Sequence, residues 1–90
     1  MRRDDTNPTD PEAIALAALG WTLGDEARAQ RLLDLTGLDP GGLRARLGEP
    51  GLLASVLAFL EAHEPDLLGA AEALGVSPAQ LIEARRRLEQ

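Results

Sequence analysis

Cysteine, lysine and tyrosine are missing from this 90-residue chain, and tryptophan and phenylalanine occur once each. Without cysteine there is no disulfide framework and no thiolate metal site, the staples on which small secreted domains rely, so a reducing cytoplasm is the expected compartment. The scarcity of aromatics, together with the absence of any alternating β-branched run, argues against a sheet sandwich. No apolar run approaches the roughly 20 residues that span a bilayer. Met1-Arg2-Arg3 leads into Asp4-Asp5-Thr6-Asn7-Pro8 with no apolar stretch behind it, which is unlike a signal peptide. Residues 1–9 read as a disordered tail, and 10–89 as a single all-helical domain. The missing lysines leave nine arginines against fifteen acids, a net charge of −6. That field opposes broad binding to nucleic acid or anionic membrane, which depends on neutralising phosphates.

What is present is helix punctuation. A proline follows an acidic or hydroxyl residue and opens an apolar run at Asp10-Pro11, Asp39-Pro40, Glu49-Pro50, Glu64-Pro65 and Ser77-Pro78. Such pairs start helices, because the side chain suits the free amides and positive dipole of a first turn, while proline at the first position loses no useful donor. Gly24, Gly37, Gly48 and Gly75 fall where the preceding helices stop. With 44% hydrophobic residues, mostly Leu, Ala, Val and Ile, the chain is expected to be all-α. The architecture is a compact bundle of five to six short helices with a helix-turn-helix-like C-terminal pair.

Helical spacing assigns the expected faces. From Pro11 to about Leu23 the inner stripe is Ile14, Ala17, Ala18 and Trp21, widened by Leu16, Leu19 and Leu23. The second helix turns Ala29, Leu32, Leu33 and Thr36 inward and leaves Arg28, Arg31 and Asp34 to solvent. A short third helix carries Leu43 and Leu47, weakened by Gly41-Gly42. Pro50 to His63 is the candidate central helix, with Leu52, Leu53, Val56, Leu57, Phe59 and Leu60 around more than half its circumference. The fifth helix holds Leu67, Leu68, Ala71 and Leu74, interrupted lightly at Gly69, and the sixth Leu81, Ala84 and Leu88. Gly37-Leu38-Asp39-Pro40 with Leu43 is echoed by Gly75-Val76-Ser77-Pro78 with Leu81, which reads as shared turn chemistry rather than a repeat.

Several strings, Ala18-Leu19-Gly20-Trp21, Arg31 through Pro40, Leu43-Arg44 and above all Phe59-Leu60-Glu61-Ala62-His63-Glu64-Pro65-Asp66-Leu67-Leu68, resemble the small bacterial proteins of domain-of-unknown-function family 3572. The resemblance spans roughly Pro11 to Leu88. It implies a compact, all-helical cytoplasmic protein, and it confers no activity, cofactor or catalytic residue. In the family pattern an aromatic often stands near Leu32 and near Leu52, and an acid near Ala58; their replacement thins the aromatic core without changing the fold.

Chemistry-bearing constellations are sparse. The hydroxyls have only His63 as an imidazole base, and Gly41-Gly42 lacks the lysine of a phosphate loop. His63 with Glu61, Glu64 and Asp66 suggests a metal only weakly, because Pro65 should make these side chains diverge. The leading reading is therefore a non-enzymatic protein–protein interaction module without cofactor, metal or small-molecule substrate. Its candidate surfaces are the small-residue strip Ala54, Ala58 and Ala62 and the region around Ile82, taken to be exposed. The runner-up is a DNA-binding helix-turn-helix-like regulator. Ala71, Gly75, Val76, Leu81 and Ala84 fit the spacing that locks such a pair, and Gln80, Arg85, Arg86 and Arg87 are the candidate DNA contacts.

Overall fold

A computed structural model describes residues 10–90, and the expected tail over residues 1–9 lies outside the described residues. Asp10 accepts a hydrogen bond from the Glu12 amide and caps α1, Pro11–Leu23. Asp25 accepts from the Arg28 amide at the start of α2, Glu26–Thr36. Asp39 does the same for Gly42 in the short α3, Pro40–Ala45. Glu49 precedes α4, Pro50–Glu61, with no side-chain cap bond, so its contribution there is electrostatic.

The fifth helix departs from the punctuation by one residue. α5 runs Glu64–Leu74 with His63 as its N-cap, which places Pro65 inside the first turn instead of at its opening position. α6, Pro78–Leu88, has a full capping box: the Ser77 hydroxyl accepts from the Gln80 amide while Gln80 Oε1 accepts from the Ser77 amide.

Two glycines end helices in the left-handed region, Gly37 at φ 73° and Gly75 at φ 72°, and each leads into a capped Pro-initiated helix. The echo read in the sequence is this device used twice. Gly24 ends α1 in an ordinary right-handed conformation, φ −75°, and α3 stops at Ala45 with Arg46 as its cap, short of Gly48.

α4 is the central helix. Leu53, Val56, Leu57 and Leu60 are wholly buried, joined by Leu52, Ala54 and Phe59. α1 and α6 pack against it and against each other, and α2 and α5 close its flanks. The all-α bundle thus has six helices, and no strand occurs among the described residues.

The inner face of α1 is shifted from the expected stripe. Ile14, Ala15, Ala18, Leu19 and Thr22 are buried, whereas Leu16, Ala17 and Leu23 lie outside. This helix is apolar nearly all round, so apolar spacing could not choose its phase; the burial of Thr22 is made possible by its hydroxyl donating to the Ala18 carbonyl at 2.8 Å.

Trp21 and Arg28 supply the second departure. Trp21 is half-buried against the core, and Arg28, expected in solvent, lays its guanidinium 3.7 Å from the ring centroid. Nη2 of Arg28 also donates to the Trp21 carbonyl at 2.8 Å. α2 crosses the end of α1 where a long cationic side chain can cover an aromatic face.

Candidate functional site

α4 presents a strip of small residues outward, but not the strip of every fourth residue. Ala54 is only 5% exposed and belongs to the packing, while Ala58 and Ala62 are exposed. A step of four residues drifts by about 40° around a helix, so Ala54, Ala58 and Ala62 cannot share one narrow face. The outward row is Gly51, Ser55, Ala58 and Ala62, with the Ser55 hydroxyl donating back to the Gly51 carbonyl at 3.0 Å.

Beside this row runs an open groove of about 390 Å³ between α4 and the C-terminal end of α2, lined by Leu35, Thr36, Leu38, Arg46, Gly51, Leu52, Ser55 and Ala58. Leu35 on its wall is 64% exposed, the largest exposure among the outward-facing large apolar residues. Thr36 is held by hydroxyl bonds to the Leu32 and Leu33 carbonyls and accepts from the Leu38 amide, fixing the turn that forms one end. Arg46, the charged lining residue, pairs with Glu49 at 2.9 Å. The groove therefore combines an exposed leucine, small residues of α4 and one paired cation. That set has no nucleophile with a base beside it. Sequence periodicity pointed to Ala58 but missed Leu35, because the exposed leucine lies on α2, whose tilt against α4 is a tertiary property.

Ile82 is half-buried on α6 and forms no exposed apolar patch, contrary to the expectation. α6 packs chiefly on α4 and α1, which takes up more of its circumference than a helix locked only to its predecessor would lose.

α5 and α6 do form the helix, turn, helix unit foreseen in the sequence. Ala70, Ala71, Leu81 and Ala84 are buried, Gly75 is left-handed, and the Val76 amide donates to the Ala71 carbonyl at 3.0 Å. The candidate DNA contacts are placed as follows. Gln80 is engaged in the capping box. The Arg85 guanidinium is shared between Glu61 and Glu89, Nη1 donating to Glu89 at 2.7 Å, and its hydrogen bonds to Glu61 first and then to Glu89 raise its pKa. Arg86 stands 3.8 Å from Glu83, and Arg87 also has an interaction partner.

At the α4–α5 junction the side chains expected to diverge partly converge. Asp66, whose side chain is 10% exposed, accepts at one oxygen from His63 Nδ1 and from Arg31 Nη2, both at 3.0 Å. Burial favours the neutral carboxyl, but the bonds from His63 and Arg31 outweigh it and hold Asp66 below its ordinary pKa. Arg31 stays exposed, as expected, yet is tied to α5 by this bond and also lies 5.4 Å from the Phe59 ring centroid. Glu61 turns away to Arg85. Among the described residues no three His, Asp or Glu side chains gather as a metal would require.

The chain belongs to the DUF3572 family, described as a protein of unknown function, whose model matches residues 8–90. No curated protein and no solved structure is significantly similar to it. No helix among the described residues is long and apolar enough to cross a membrane.

Proposed function

We propose that this protein is a non-enzymatic protein-interaction module of the cytoplasm, and that it receives an amphipathic helix of another protein in the groove between α2 and α4. The observation that carries the reading is Leu35, a leucine left 64% exposed in the lining of a groove that also includes Gly51, Ser55 and Ala58. Leaving Leu35 64% exposed forgoes about 1–2 kcal/mol of burial, which a partner covering it would recover. Small residues along α4 let a second helix approach closely, and an aliphatic side chain of that helix fills the space beside Leu35, as in helix-in-groove recognition.

The second reading, a DNA-binding regulator, is favoured by one observation, the left-handed Gly75 turn between α5 and the capped α6. It ranks below the first because Gln80 and Arg85 are held by partners within the chain and the net charge is −6. Affinity purification from native extract, run with and without nuclease, separates the two. A protein retained through nuclease treatment supports the module. Nucleic acid recovered in its place, and lost on neutralising Arg85, Arg86 and Arg87, overturns it.

A further inference from the structure

α1 carries a second surface that neither the groove nor the core uses. None of residues 13–24 is charged, and the helix buries only one side of that run. Leu16, Ala17, Gly20 and Leu23 face outward, with Leu16 42% and Leu23 43% exposed. A Cβ built on Gly20, between the two leucines, would meet nothing within 4 Å. A helix apolar on all sides belongs in an interior, so one whose outer face stays open is a surface awaiting a cover.

The ends of this face say what covers it. Asp10 and Glu12 stand at one end, Asp25 and Glu26 at the other, and both glutamates are exposed. Arg28, the cation bordering the second end, is already stacked on Trp21. A second copy of the chain would set acid against acid. Antiparallel pairing brings Glu12 to the other copy's Asp25 and Glu26, and parallel pairing brings Glu12 to Glu12.

We infer that the outer face of α1 docks a helix of a different protein, one whose apolar stripe is bracketed by basic residues about 20 Å apart, the length of a 13-residue helix. The partner's leucines or alanines straddle Gly20, where the backbone of α1 can be approached closely, and its basic ends meet the exposed Glu12 and Glu26, beside the capping carboxylates of Asp10 and Asp25. The inference rests on the reading that this protein works by binding others, but it uses a different face, so changes at Leu35 and Ala58 leave it intact.

The probe is a synthetic leucine and alanine helix of roughly 16 residues with an arginine pair at each end, compared with a counterpart ending in glutamates. The full chain, labelled with nitrogen-15, is titrated with each. The expected result is binding of the arginine-ended peptide alone, weakened by added salt, with amide shifts along α1. Gly20→Arg, which fits the fold because the site is open, is expected to weaken binding at least tenfold, and so is the pair Leu16→Gln with Leu23→Gln. No binding, equal binding of both peptides, unchanged affinity in Gly20→Arg, or shifts confined to the α2–α4 groove would each overturn the inference. So would a mass that rises with concentration in the wild type and not in Gly20→Arg, since the cover would then be a second copy. Failure here with retained partner capture at the groove leaves the proposed function standing.

Discussion

The indole of Trp21 lies so close over Gly69 that a Cβ at that glycine would come within 2.9 Å of ring atom Cζ2 and 3.2 Å of Cη2. The Arg28 guanidinium covers the same ring. One aromatic thus joins α1, α2 and α5, and the glycine that looks like a flaw in α5 is the place where the ring sits.

Gly69→Ala is therefore expected to lower stability by about 1–3 kcal/mol through overpacking, although alanine favours a helix over glycine by about 1 kcal/mol. The denaturation midpoint in urea measures it. A higher midpoint would show that the indole slides aside without loss.

Phe59 is 7% exposed on the central helix, and its truncation to alanine is expected to cost about 3–5 kcal/mol. For a domain this small that is most of the stability available. Far-ultraviolet circular dichroism should show a chain largely unfolded near 37 °C, and an unchanged midpoint would place Phe59 outside the core.

Asp66 links stability to pH. Its folded pKa lies below the ordinary value of 3.8, so below about pH 4 the unfolded chain takes up its proton first. The stabilisation is present in full above that range and is lost as the pH falls through the folded value. Asp66→Asn is expected to flatten this part of the stability curve while lowering stability at neutral pH. A mutant curve parallel to that of the wild type would remove Asp66 from the account.

Ser77→Ala removes the acceptor for the Gln80 amide and half of a capping box. The expected loss is about 1 kcal/mol, read as a drop in melting temperature. No change would mean that water replaces the hydroxyl at no cost.

Much of the fold was legible because the signals were local. Caps and prolines act within one turn, and the starts of α1, α3, α4 and α6 fall where Asp10, Asp39, Glu49 and Ser77 place them. The burial of Phe59, Leu57 and Leu60 followed from periodicity in the same way. What was hidden depends on how helices cross. Arg28 read as a solvent residue because nothing in its spacing reveals Trp21, and the exposed Arg31 gave no sign of its bond to Asp66, 35 positions away. α1 offered no polar face to set its rotation, so Ala15 takes the inward place expected for Ala17. At the candidate site Ala58 was legible and Leu35 was not, for the groove exists only once α2 lies beside α4.

The central claim is that the α2–α4 groove receives a partner helix. It is tested by purifying the wild-type chain and two folded variants, Leu35→Glu and Ala58→Arg, from native extract after nuclease treatment. Both positions are exposed, so the variants are expected to keep the melting temperature within a few degrees. The account predicts one protein held by the wild type and lost from both variants. The same protein held equally by all three would contradict it.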